Sequence, residues 1–170
     1  MARALTATLV TMLVSGLICA LGLSASAFAD PHQVKKRAIT ISNRMVRASI
    51  GQSPNSAAYV MIANSGPAPE ALVSASCACA AKVEIHRTMV TRGVVSMPPV
   101  GPVTIPAHGQ VSFRPGGYHL MLEDLKEPLK DGGEQNITLV FRHAGPITAA
   151  FHIRSRINAD GGPSMAGMGR

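Results

Sequence analysis

Apolar residues along this chain come in short runs, many alternating with polar ones, and Gly, Pro, Asn and Ser separate the runs. Alternation with a period of two marks strands with one buried face. The pattern predicts strands near Ala38–Ile41, Ala57–Ala63, Lys82–Ile85, Val94–Met97, Val103–Ile105, Val111–Phe113, His119–Leu122, Ile137–Phe141 and Thr148–Ile153. Turns are expected at Asn64-Ser65-Gly66, Arg92-Gly93, Ala107-His108-Gly109 and Asp131-Gly132-Gly133. No stretch carries a sustained helical period, although Leu125–Leu129 is read as a single turn, and no internal repeat is found. Many short strands with frequent turn signals predict an all-β, antiparallel sandwich or barrel.

The two ends depart from this pattern. Residues 1–29 open with MAR, continue through LTATLVTMLVSGLICALGL and close on SASAFA, the order of charge, apolar run and small residues found in a secretory signal peptide. The expected cut follows Ala29, with a cut after Ala27 as the alternative, and no stable membrane insertion is expected once the leader is removed. Cys19 follows Leu17-Ile18 rather than a small residue, which argues against a lipid-modified cysteine there. Residues 30–37 read as a flexible leading segment, 38–157 as one domain, and 158–170 (NADGGPSMAGMGR from Asn158) as a flexible Gly- and Met-containing tail. The full chain has a net charge of +7, and loss of Arg3 with the leader lowers it to +6. That balance favours acidic partners or an anionic surface. Scattered basic residues and few aromatics give no stacking platform for nucleic acid.

Candidate chemistry sits where alternation places polar or soft residues opposite an apolar pair. In GGYHLMLEDL (116–125), Leu120 and Leu122 share one strand face, and His119 and Met121 share the other. In KVEIH (82–86), Val83 and Ile85 alternate with Glu84 and His86. Met97 closes GVVSM just before Pro98-Pro99, and the four residues follow H-x10-M-x21-H-x-M. Thioether sulfur is soft and neutral and selects Cu(I); imidazole is a stronger donor that also tolerates Cu(II). A neutral set of two His and two Met can hold Cu(I) without locking it in, and it avoids thiolates that an oxidising compartment would consume. Sulfoxide formation remains the hazard for methionine there.

This motif, with KVEIH, GVVSMPPV, VTIPAHGQVSFRPGGYHLML and LKEPLKDGG, resembles the periplasmic CuA chaperone family (PCuAC). ITISNRMVRAS and AAYVMIANSG are similar to the family's first strands, so the likeness runs over roughly residues 38–155. One departure is Met45, where the family often has a tryptophan. The resemblance implies a cupredoxin-like antiparallel β-sandwich with Greek-key connections. It also implies a monomeric periplasmic Cu(I) chaperone with His86, Met97, His119 and Met121 as metal ligands. Copper would pass towards the CuA-bearing subunit of cytochrome c oxidase or another periplasmic copper protein.

Other residues enlarge the list of candidates. Cys77-Ala78-Cys79 has three readings: an additional Cu(I) site, a reducible disulfide, or two small buried residues without a role. Met165 and Met168 in the tail offer further thioethers, against the reading of a tail with no metal role. Met89 is out of phase with His86. A secondary Cu(II) site at Asp30-Pro31-His32 is disfavoured because Pro31 has no N–H to give up. His108, His143 and His152 have no matching partners. The alternatives to a carrier are an electron-transfer cupredoxin, which wants a Cys beside two His, a thiol reductase using Cys77 and Cys79, and a β-sandwich adhesion or structural module whose His and Met are incidental. No cysteine follows GGYHLML, the cysteines are not spaced Cys-x-x-Cys, and no hydrolase, metalloprotease or phosphate-loop signature is present, so no enzyme is expected.

Overall fold

The computed structural model describes residues 34–36 and 38–157, and the expected leader and tail, with Met165 and Met168, lie outside the described residues. Twelve strands follow in chain order. These are β1 (Val34–Lys36), β2 (Ile39–Arg47), β3 (Ser56–Asn64), β4 (Glu70–Cys77), β5 (Ala80–Arg87) and β6 (Met89–Thr91). Then come β7 (Val94–Ser96), β8 (Val103–Ile105), β9 (Gly109–Phe113), β10 (Tyr118–Leu125), β11 (Glu134–Phe141) and β12 (Gly145–Arg154). Within the stretch expected to be a flexible leading segment, Val34–Lys36 pairs antiparallel with β2. Leu125–Leu129 forms no helical turn, and among the described residues no helix is present.

Ten strands form one curled sheet, in the order β5-β10-β9-β3-β2-β12-β11-β4-β8 with β1 added on β2; β6 and β7 form a separate hairpin. The all-β expectation is met. The pairings are mostly antiparallel as expected, and the sheet is mixed in two places: β12 runs parallel to β2 (His152 beside Met45, Arg154 beside Arg47) and β9 meets β10 in parallel at Phe113 and Tyr118. β2 also outruns its expected end at Ile41. The pairing with β3 shifts between Ser42 and Met45, and Asn43 takes φ +50° there, so the two-residue rhythm breaks although the strand continues.

The concave side of the curl holds the core. Leu120, Leu122, Ile137, Leu139, Ile62 and Phe151 have essentially no exposed surface. Each such side chain contributes about 1.5–3 kcal/mol relative to exposure. Leu120 and Leu122 thus occupy the core face of β10 as expected, which fixes the opposite face for His119 and Met121.

Candidate metal centre

The site grows from a break in a strand edge. β9 pairs antiparallel with the second half of β3 (Phe113 beside Val60), and β10 with its first half (Leu120 beside Ala58, Met121 beside Ala57). β9 and β10 therefore run in one direction along a single edge of β3, interrupted by Arg114-Pro115-Gly116-Gly117. This loop is closed by Arg114 N–H donating to Tyr118 O (2.8 Å) and Gly117 N–H to Arg114 O (2.9 Å). Gly116 takes φ +76°, a conformation that favours glycine. Two residues beyond the loop, His119 enters the strand with its Nδ1 3.2 Å from Gly117 O.

The antiparallel register of β5 and β10 sets His86 directly opposite His119, with Met121 opposite Glu84. The imidazole centroids are 5.8 Å apart, with planes at 59°. Two imidazoles bound to one ion at about 2 Å place their centroids about 5–6 Å apart, so the pair is spaced to share a metal. Both are buried, His86 at 8% exposure and His119 at 4%, although they lie opposite the leucine face. Burial holds the His119 pKa below its ordinary value; the Gly117 carbonyl opposes this and the neighbouring His86 adds to it. A neutral imidazole keeps a lone pair for a metal.

Met97 arrives from outside the main sheet. After the β6–β7 hairpin the chain runs along the free edge of β5, with Arg87 N–H donating to Pro98 O (3.2 Å), Val100 N–H to Ile85 O (2.8 Å) and a bridge between His86 and Pro99. That docking brings Met97 to the mouth of a cleft of about 400 Å³ shared with His119 and Met121. Met97 remains 52% exposed and Met121 is half-buried. Arg47, Tyr59 and Pro115 line the same cleft, and burial raises the Tyr59 pKa against the pull of Arg47, so the phenol stays neutral. Met45, at the expected tryptophan position, is buried beside Tyr59 in register.

Thus three of the four residues expected to bind metal line one cleft, and the fourth, His86, packs against His119 behind it. Glu84, not among the expected ligands, has Oε2 3.3 Å from His86 Nε2, while Lys82 Nζ lies 2.8 Å from its Oε1. Lys82 first, then His86, lowers the Glu84 pKa. Its signal is present in the alternation of KVEIH, where Glu84 shares a face with His86.

The other candidates separate from this centre. Cys77 and Cys79 are joined in a disulfide at the β4–β5 turn, one of the three readings of that pair, and a Cu(I) site there would first require reduction. Met89 is exposed on the hairpin, paired with Ser96. His143 contacts Glu70 and His152 pairs with Glu134, as expected of histidines with ordinary roles. His32 lies outside the described residues.

A family model described as "Putative lipoprotein LpqE-like" matches residues 39–153. The chain belongs to the LpqE-like family. "Putative lipoprotein Lxx21020" of Leifsonia xyli subsp. xyli is 33% identical over 154 residues, covering 89% of this chain and 90% of that protein. "Uncharacterized protein RP573" of Rickettsia prowazekii is 37% identical over 92 residues, covering 54% of this chain and 51% of that protein. Among solved structures, the apo PCuAC domain from PmoF1 is 25% identical with a TM-score of 0.64, covering 74% of this chain and all of that domain (100%). The solution structure of CuI-DR1885 from Deinococcus radiodurans is 28% identical with a TM-score of 0.55, covering 79% of this chain and 88% of that one. The PCuAC resemblance read from the sequence is thereby met at the level of fold.

Proposed function

We propose that this chain is a periplasmic Cu(I) carrier, with His86, Met97, His119 and Met121 as the ligands and no enzymatic reaction of its own. The observation that carries the reading is the register pairing of His86 with His119 beside a cleft lined by Met97, His119 and Met121. Two neutral imidazoles and two thioethers match the preference of Cu(I) for soft and borderline donors. The likeness to a protein solved with CuI supports the same metal. A ligand as exposed as Met97 gives an acceptor access to the ion, as a carrier requires. Among the described residues no cysteine lines the cleft, which disfavours the electron-transfer cupredoxin, because that chemistry needs a thiolate on the metal.

The leader read in residues 1–29 supports export, and so does the lipoprotein description of the family and of the Leifsonia xyli relative. The destination is the CuA-bearing oxidase subunit or another periplasmic copper protein. The test is a Cu(I) competition titration against a chromophoric chelator, with wild type beside the His119→Ala/Met121→Ala variant. One-to-one binding lost in the variant is expected. Equal binding by both would move the metal elsewhere, and no binding by wild type would end the carrier reading. Transfer to a purified apo CuA domain, followed by its absorbance, tests the destination.

A further inference from the structure

Two imidazoles can share an ion only if each turns a lone pair towards it. For His119 the choice of nitrogen is made by the backbone: Nδ1 lies 3.2 Å from Gly117 O, so Nδ1 carries the proton and Nε2 holds the lone pair. The His86 ring is held differently. Its Nε2 lies 3.3 Å from Glu84 Oε2, two residues earlier on the same face of β5.

We propose that Glu84 is the positioning residue of the copper site: its carboxylate accepts the Nε2–H of His86, which fixes the ring and leaves Nδ1 as the atom that binds Cu(I). The inference rests on the carrier reading and names a residue that reading does not contain. Metal-binding histidines characteristically donate their second ring N–H to a carboxylate or a carbonyl, and this site uses one of each. Glu84 is itself held. Lys82 Nζ sits 2.8 Å from Oε1 and 3.9 Å from Glu123 Oε2, so one carboxylate oxygen is anchored and the other is left for the ring. Glu84 also stands opposite Met121 in register, which places it on the ligand face.

A competing role follows from the same atoms. Glu84, His86 and Glu123 each offer a ligand atom within 4.8 Å of the others, a spacing that a divalent cation could use. Two facts favour the positioning role. The Lys82 ammonium already supplies the counter-charge to both carboxylates. Carboxylate oxygen is also a hard donor that soft Cu(I) does not prefer.

The experiment uses the secreted chain with Glu84→Ala, Glu84→Gln and Glu123→Gln variants. Cu(I) affinity is read by chelator competition, and the His86 tautomer by ¹⁵N NMR of the apo protein. Glu84→Ala is expected to weaken Cu(I) binding about 10- to 100-fold and to abolish the preference for Nε2–H. Glu84→Gln accepts the ring N–H only when its NH₂ group turns to Lys82, so it is expected to fall between wild type and Glu84→Ala in both readouts. Unchanged affinity in Glu84→Ala overturns the proposal, as does a wild-type His86 with its proton on Nδ1. Zn²⁺ binding by wild type that Glu123→Gln loses overturns it as well, because it points to direct metal contact by the carboxylates. Failure of wild type to bind Cu(I) strikes the carrier reading, whereas the tautomer is measured without copper and fails or holds independently.

Discussion

Glu70 opens β4 almost fully buried, and its carboxylate accepts a set of hydrogen bonds that a single substitution can dismantle. Oε1 accepts the N–H of Ala71 (2.8 Å) and of His143 (3.0 Å), with His143 Nδ1 at 3.2 Å. Oε2 accepts the N–H of Ala144 at 2.8 Å and shares that of His143 at 3.2 Å. The side chain thereby ties β4 to the turn between β11 and β12. In Glu70→Gln one oxygen becomes an NH₂ group. Whichever end it takes, it faces a backbone N–H where an acceptor stood, because each oxygen has a backbone donor at 2.8 Å. One or two donors lose their partner at about 1–3 kcal/mol each, so the expected loss is about 3 kcal/mol. For a domain of this size that lowers the melting temperature by about 12 °C.

The pH dependence follows from the same contacts. Burial works against the charge on Glu70, but the N–H groups of Ala71, His143 and Ala144, with the His143 ring, outweigh it and hold the folded pKa below the ordinary carboxyl value. The stability this confers is fully present above the unfolded pKa and is lost as pH falls through the folded one. Protonated Glu70 carries a donor on one oxygen, as Gln does, so the gap between wild type and variant should narrow in acid. Thermal and urea unfolding at neutral and acid pH measure it. A gap below about 0.5 kcal/mol at neutral pH, the scale of an ordinary surface change, would refute the reasoning. So would a gap that does not change with pH.

Met97→Ala should reduce Cu(I) affinity while shifting stability by less than about 0.5 kcal/mol, because the side chain is half-exposed; chelator competition and thermal melts on one sample check both. Leu120→Ala, one position from a proposed ligand but on the core face, should cost about 2–5 kcal/mol, and equal costs for Leu120→Ala and Met97→Ala would contradict the two-faced reading. His119 has a depressed folded pKa, so its contribution to stability is complete above the unfolded histidine value and fades as pH falls through the folded one. Cu(I) affinity should accordingly hold steady near neutral pH and weaken below the ordinary histidine range, as a chelator titration across pH would show. Replacing Cys77 and Cys79 together by Ser should leave Cu(I) affinity unchanged, and a loss would return that turn to the metal chemistry.

Strands with clean alternation are legible in the amino-acid pattern itself. KVEIH, YHLMLEDL and ITLVF carry the two-residue period, and each lies in a strand with Ile85, Leu120 and Leu122, and Ile137, Leu139 and Phe141 inward. β4 is not legible in this way, because EALVSASC does not alternate: Glu70, Ala71 and Leu72 are buried in succession, and Ser74 to Cys77 are small and weakly apolar. Met45 to Arg47 are hidden as well, because the irregularity after Ser42 resets the period.

For the site, alternation in KVEIH and GGYHLMLEDL assigns His86, His119 and Met121 to strand faces, because periodicity is a local property, whereas the four-residue set with Met97 is what the family resemblance of the H-x10-M-x21-H-x-M motif implies. The register that puts His86 against His119 depends on how β5 meets β10. The approach of Met97 depends on Pro98–Val100 docking along β5. The burial of both histidines depends on each other's ring and on the segments beside them, Pro99 bridged to His86 and the Gly117 carbonyl against His119. The parallel meeting of β12 with β2 is likewise a matter of closure between distant segments. Such contacts join residues far apart in the chain, and a pattern of period two carries no information about which distant strand completes them. The sequence determined the residue types and the strand faces of His86, His119 and Met121, and the tertiary structure decided which of those faces meet and brought Met97 to them.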